Sequence, residues 1–356
     1  MTIVGRALTL ILAISPTLSA VGAEGFRITP TESWSTLFAG EQVVRGFNVA
    51  GRGAFKGIVA WGLTVNRAVV SRGERAVGLA PNKATNVKLK LSLPPVKDGV
   101  VMPADLAVSL RPRGPGGAVA TFTQRLWLFS RKPFAGRSAW LKSLRIRLFD
   151  PEGATSKVLT EASIPFALVR NVDAVADLEG GLLIIGEGTS FRNYRGLAAM
   201  MVKAAARGVP VLCLAPSGGD FAAAGAGDPE LPSPVSIAFR REDIITEFDK
   251  RLDAGAWPHD GRIVATTLLV KADRGRVVVR ATDRPAGWPW LEAVFGGPSR
   301  ASGPSGKPGR PCRLVVCGFA IVRKWGAGPT PRHLFGQMLR RLDWTVRKAR
   351  PGEGGT

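Results

Sequence analysis

Histidine, cysteine and tyrosine are nearly missing from this chain, at two, three and one in 356 residues. Two isolated histidines, His259 and His333, cannot build a zinc centre on His and Cys ligands, so no metal is expected. The cysteines, Cys213, Cys312 and Cys317, are odd in number and lack a repeated spacing, which excludes a disulfide framework. Cys213 and Cys317 lie in apolar runs, VPVLCLA and RLVVCGFAIV, where a thiol acts as a small buried hydrophobe. Cys312 is either free or paired with Cys317. No cofactor is expected. Beyond the N-terminal segment no uninterrupted apolar run approaches the roughly 20 residues a membrane-spanning helix needs, so the mature chain is expected to have no transmembrane span. Acidic side chains are scarce too: 27 against 49 Lys and Arg, for a net charge of +22.

That charge is spread rather than gathered. Arg45, Arg72, Arg111, Arg145, Arg240, Arg280 and Arg323 recur along the chain with no aromatic-interleaved basic motif, so no specific nucleic-acid motif is present. The densest group, Arg340, Arg341, Arg347, Lys348 and Arg350, leads into residues 345–356, expected to be a basic disordered tail. A polyanion partner contacting the basic surface is one reading of this excess, and a well-solvated basic exported protein is the other. Met1 to Ala23 reads as a secretory signal: Arg6 is its only charge, Ala7 to Leu18 its apolar centre, and Val21-Gly22-Ala23 supplies small residues before a cut. The mature chain would begin near Glu24 in an extracytoplasmic compartment, periplasmic or secreted; an uncleaved anchor is the alternative.

From residue 24 to 132 short apolar runs are separated by Gly, Pro and Asn, as in antiparallel strands and turns. Strands are expected at 42–49, 57–65, 68–71, 86–93, 104–111 and 121–129. In NVKLKLSL, Val87, Leu89, Leu91 and Leu93 alternate with Lys88, Lys90 and Ser92, giving one buried and one wet face. Spacing of roughly 10 residues between strands predicts an antiparallel β-sandwich. Residues 133–143 read as a linker.

The pattern then changes to α/β across 144–344. Strands are expected at 144–149, 166–170, 181–186, 210–215, 235–239 and 313–322, with helices over 152–163, 191–207 and 242–252. Each early helix serves as a crossover between parallel strands, which predicts a doubly wound, flavodoxin-like sheet covered on both faces. Leu197, Met201, Ala204 and Ala205 form one apolar helix face, closed by Gly208. Residues 263–271 and 275–281 read as a hairpin or strand pair, and 297–311 as a low-complexity insertion. Thr330-Pro331 looks like a helix start with a cap and an N1 proline, and Leu334, Met338 and Leu342 would face the core.

The acidic loop after GLLIIGEG, the helix before VPVLCLAP, and the GFAIVRKW strand followed by a helix resemble the class I glutamine amidotransferase-like superfamily. The closer resemblance is to its degenerate members that accompany immunoglobulin-like β-sandwiches in secreted bacterial proteins. For active members the resemblance implies a nucleophilic Cys on a sharp strand-to-helix turn, with a His and a Glu two positions apart near the domain end. The turn exposes the thiolate and aims backbone amides at the oxyanion. Here the turn falls near Ala215 or Pro216, Cys213 lies inside the strand, and no His-x-Glu follows. Glutaminase chemistry is therefore not expected.

The remaining candidates are polar groups at strand ends. Glu187, Asp150 and Asp220 should share the carboxyl edge of the sheet, where open α/β sheets bind ligands and where paired carboxylates could hydrolyse a glycoside; each also suits a cap or loop. Ser217, in APSGG, offers a hydroxyl before glycine amides but has no evident base, so it reads either as a nucleophile or as a turn residue. Asp249 and Asp253 are expected on one helix, in salt bridges with neighbours such as Arg251. Trp288 and Trp290 would share a face if extended, either as a sugar platform or as core. The reading that follows is an exported, non-catalytic binding or structural protein meeting a glycan or another cell-envelope component. A glycan-acting hydrolase using Glu187 and its neighbours is the alternative.

Overall fold

In a computed structural model the described residues are 25–222, 232–253, 266–273, 276–282, 287–297 and 309–347. The expected signal at 1–23, residues 348–356 of the expected tail, His259, and 298–308 of the expected insertion lie outside them. The fold is mixed α/β, with strands at 43% and helices at 18%, so sheets carry most of the core.

The chain divides into two units, one of residues 1–31, 42–92 and 105–125, the other of 32–41, 93–104 and 126–356. The first unit contains β1 (Arg27–Pro30), β3 (Gln42–Ala50), β4 (Phe55–Val65), β5 (Ala68–Leu79) and β6 (Ala84–Ser92). Strand β2 (Thr36–Phe38) belongs to the second unit, and β7 (Val101–Pro112) and β8 (Ala120–Phe129) have residues in both. Two sheets run β1-β3-β6 and β2-β8-β7-β4-β5. The β1–β3, β3–β6, β4–β5 and β4–β7 pairs are antiparallel, whereas β2 lies parallel to β8. The alternation in NVKLKLSL is realised: Val87, Leu89, Leu91 and Leu93 are buried while Lys88 and Lys90 are exposed. Within the first unit Phe47 meets Phe122 and Phe26 meets Phe55, at ring centroids 5.4 Å and 5.0 Å apart. Strand β5 continues eight residues past the expected end at Ser71, to Leu79. Its polar, glycine-bearing sequence hid it, and the glycine has a packing cause. A Cβ on Gly73 would lie 2.2 Å from the Trp61 ring.

The second unit continues with α1 (Ser138–Ser143), β9 (Arg147–Phe149), α2 (Ala154–Glu161), β10 (Ala167–Leu168), α3 (Asp173–Ala176), β11 (Leu183–Ile185), α4 (Leu197–Ala206), β12 (Val211–Leu214), β13 (Gly219–Ala222), β14 (Ser236–Arg240), α5 (Asp243–Phe248), β15 (Thr267–Asp273), β16 (Arg276–Thr282), β17 (Trp290–Gly297), β18 (Gly309–Cys317) and α6 (Pro329–Arg347). The main sheet is ordered β10-β9-β11-β12-β18-β17-β14. Its first five strands are parallel, and β17 and β14 add antiparallel. Strand alternation sends Leu148, Ile184, Leu212 and Val315 into one core with Leu159, Ile244, Leu334 and Met338 of α2, α5 and α6. Leu183, Ile185, Val211 and Val316 point into the opposite core, beneath Val175 of α3 and Leu197 and Met201 of α4. Residues 133–143 contribute α1, and Phe134 and Leu141 are buried.

Several elements depart from expectation. The helix expected over 191–207 begins only at Leu197, because Phe191 donates its N–H to the Gly218 carbonyl and Ser190 forms a parallel bridge with Gly218, drawing 190–191 out alongside the segment between β12 and β13. Strand β18 stops at Cys317 rather than Val322. At Gly318 a Cβ would lie 2.0 Å from the Thr266 carbonyl oxygen, and a turn runs from Ile321 to Ala327. Helix α5 ends at Phe248, leaving Asp249 extended and Asp253 outside any helix. Helix α6 starts at Pro329, and the Thr330 hydroxyl, expected to cap it, is buried with no hydrogen-bond partner. The strand pair at 267–282 is an antiparallel hairpin whose β16 also pairs with β13 in a separate sheet.

Candidate functional site

Strand order in the main sheet reverses at β9: the chain passes to β10 on one side and returns to β11 on the other. Ligand crevices of open α/β sheets form at such a reversal, outside the carboxyl ends of the strands. Asp150 directly follows β9, and Glu187 follows β11 after Gly186. Both expected carboxylates therefore stand at the switch point.

Their bonding is local. Glu187 Oε2 accepts the Val322 N–H at 2.6 Å and Oε1 accepts that of Arg323 at 3.1 Å, so the carboxylate holds the turn between β18 and α6. The Glu187 N–H in turn donates to Thr155 Oγ1 at 2.9 Å. Burial raises the Glu187 pKa, and the two amides and the Arg323 charge pull the other way. Asp150 Oδ2 accepts the Ser156 N–H in the first turn of α2, at 2.7 Å. Its Oδ1 is buried and has no hydrogen-bond partner. It lies against Gly186, where a Cβ would stand 2.2 Å from that oxygen, so the carboxylate occupies the space a side chain would take.

Asp220 is elsewhere. It sits on β13, exposed, and its Oδ1 accepts from Arg280 Nε at 2.9 Å. The separation follows from the short β13, which leaves the main sheet immediately after β12. Ser217 is exposed on that passage, its N–H donating to the Thr189 carbonyl at 3.1 Å. Among the described residues no imidazole or lysine hydrogen-bonds its hydroxyl. Trp290 is fully buried against Phe248, with no ring face left to solvent. Trp288 is half-buried, with the Arg241 guanidinium 4.4 Å over its ring.

At the end of β12, where the resemblance places a nucleophile, Ala215 has φ +27°, a left-handed value that only glycine adopts without strain. Its N–H donates to the Cys317 carbonyl at 2.6 Å and its carbonyl accepts from Gly188. The bend is present, its side chain is a methyl, and β13 follows it rather than a helix. Cys213 is two residues earlier, on β12, wholly buried, and burial pushes its thiol up, out of the nucleophilic range. Cys312 and Cys317 are also free and buried; five positions apart on β18, they face opposite sides of the strand and cannot pair. Among the described residues no cluster of His, Cys, Asp and Glu could hold a metal ion, and no helix is long and apolar enough to cross a membrane.

A cavity of about 510 Å³ was not foreseen from the sequence. Phe134 and Trp325 lie in its wall with rings nearly parallel at 6.4 Å, and Arg131, Arg332 and Glu161 bring polar groups. Arg332 is fixed by bonds to the Trp325 and Arg131 carbonyls at 2.7 Å and 2.6 Å, and its guanidinium lies over the Trp325 ring. RKPFAGRSAWL and GFAIVRKW carried the signal, an aromatic within two residues of Lys132 in the first and directly after Lys324 in the second. Only folding brings the two segments together.

No protein-family model matches this chain, and no curated protein matches it. Solved structures overlap it only distantly. A Pseudomonas fluorescens alkylpurine DNA glycosylase, AlkC, aligns at TM-score 0.23 and 12% identity over 31% of either chain. The sporulation control protein Spo0M of Bacillus subtilis aligns at 0.23 and 13% over 33% of this chain and 55% of its own. A Paenibacillus cycloisomaltooligosaccharide glucanotransferase aligns at 0.27 and 10% over 72% of this chain and 33% of its own. The overlap thus spans 31%, 55% and 33% of these three proteins' own lengths, under two thirds of each.

Proposed function

We propose that this is an exported, non-catalytic binding protein of the cell envelope, with a glycan as its ligand. In this reading its first unit is an immunoglobulin-like β-sandwich. Its second is a flavodoxin-like, degenerate member of the glutamine amidotransferase-like superfamily. One observation carries the non-catalytic part: both oxygens of Glu187 are taken by backbone amides, while the strained bend beyond β12 holds alanine. A carboxylate spent on a turn is poorly placed to shuttle protons, and a methyl group cannot attack a carbonyl. The cavity supports the glycan, since a lining that mixes aromatic carbon of Phe134 and Trp325 with the guanidiniums of Arg131 and Arg332 and the carboxylate of Glu161 suits a ligand that is part apolar and part hydroxyl.

The test is a panel of envelope polysaccharides offered to the purified protein, read for retention by affinity electrophoresis and for release of reducing sugar. Retention without product supports the reading. Product release that disappears in Glu187→Gln and Asp150→Asn would establish the glycan hydrolase instead.

A further inference from the structure

The second unit has a separate cavity of about 220 Å³ whose lining is mostly polar and carries no acidic side chain. Helix α6 builds one wall with His333, Gly336, Gln337 and Arg340, spaced as one helical stripe on the side away from Leu334, Met338 and Leu342. Arg137, beside α1, and Arg251, beyond α5, enter from opposite segments. Three guanidiniums thus reach one small space.

Two details make this a prepared site rather than a crowd of like charges. Arg251 is held by Asp249, which takes its Nε at 2.8 Å and its Nη2 at 2.7 Å, leaving Nη1 with no acceptor among the described residues. Asp249 also accepts from Gln337 at 3.4 Å, so the same carboxylate aligns a second lining group. Neither Arg137 nor Arg340 has a hydrogen-bond or ion-pair acceptor for its side chain among the described residues. By contrast Arg341, the next residue after Arg340, is paired with Glu292. The second detail is Gly336. It adds no side chain to the wall, and a Cβ there would make ordinary contact with the Phe134 ring at 3.4 Å and fill space that is open.

We propose that this cavity is a binding site for a small oxyanion, a phosphoryl or carboxylate group on the ligand, held by Arg137, Arg251 and Arg340. Guanidinium forks match the oxygens of such groups in pairs, and the excess of two positive charges over Asp249 is what a divalent oxyanion neutralises. The site gives one member of the Arg340–Arg350 cluster a specific task. It does not depend on the ligand of the larger cavity.

Calorimetric titration of the purified protein at low salt with inorganic phosphate, and separately with glucuronate, tests it. One saturable site is expected for at least one of them, and their relative affinity tells a phosphoryl from a carboxylate partner. The double variant R137Q/R340Q should weaken binding at least tenfold. K88Q/K90Q, which removes equal charge from the exposed face of β6, should leave it unchanged. Thermal unfolding without anion checks that R137Q/R340Q is folded, and should it not be, the two single variants each serve at severalfold loss. Absence of saturable binding of either anion, or equal weakening by the two double variants, overturns the proposal.

Discussion

The hydroxyl of Thr36 donates to Asp253 Oδ2 at 2.6 Å, joining residues 217 apart in sequence. The same carboxylate accepts the N–H groups of Ser35 and Thr36 and the Ser35 hydroxyl, so one side chain pins the short strand β2 within the second unit. Thr36 is fully buried, and its donors would have nowhere else to go. Asp253→Ala should therefore cost about 3 kcal/mol, the scale of several buried donors left unmet. Asp253→Asn keeps one acceptor oxygen and should cost less. Urea unfolding curves of the two variants check both the size and the order.

Acid should destabilise the second unit through His333. Burial lowers its pKa from 6.5 to about 4, helped by Arg251 and Arg137 and opposed by its bond to the Ser130 backbone and by Asp249. A lowered folded-state value means that the unfolded chain binds the proton more readily. The stability it contributes is present above pH 6.5 and is lost as pH falls through 4, by about 3 kcal/mol. Glu187 runs oppositely: its raised pKa contributes stability below its unfolded value of 4.5 that is lost as pH rises through the folded value. His333→Gln should flatten the fall between pH 6.5 and 4 in a series of thermal melts.

Gly186 and Asp150 should behave as a coupled pair. Gly186→Ala pushes a methyl into Asp150 Oδ1, an overlap worth about 1–3 kcal/mol. Asp150→Ala removes the acceptor of the Ser156 N–H and should cost about 1 kcal/mol. In the double variant the methyl has space, so the combined loss should fall short of the sum by 1 kcal/mol or more, measured as a double-mutant cycle.

Ala215→Gly should relieve strain. At φ +27° the alanine Cβ is crowded against its own backbone, so glycine should gain up to about 1 kcal/mol despite its greater freedom in the unfolded chain. A loss of stability would mean that the methyl, buried at the sheet edge, is needed for packing.

Where one physical effect dominated, the sequence was readable. Two-residue alternation placed Leu89 and Leu91 inside, and helical spacing placed Leu334, Met338 and Leu342 against the sheet. The strand-end rule put Asp150 and Glu187 at the switch point. It misplaced Asp220, because nothing in PSGGDFA says that the chain will pair with β16 there. The ends of β18 and α4 were misjudged for a related reason. Gly318 and Phe191 answer to Thr266 and Gly218, partners that only tertiary structure supplies. Both cavities escaped notice, since their walls come from segments 100 or more positions apart, as Arg137 and Arg340 are.

The three interior thiols have a practical consequence. Cys213, Cys312 and Cys317 lie on two neighbouring strands of the main sheet, and none reaches solvent in the folded protein. An alkylating reagent should find no target until those strands part, so the rate of modification is a clock for opening of the second unit. No engineered label is required to read it.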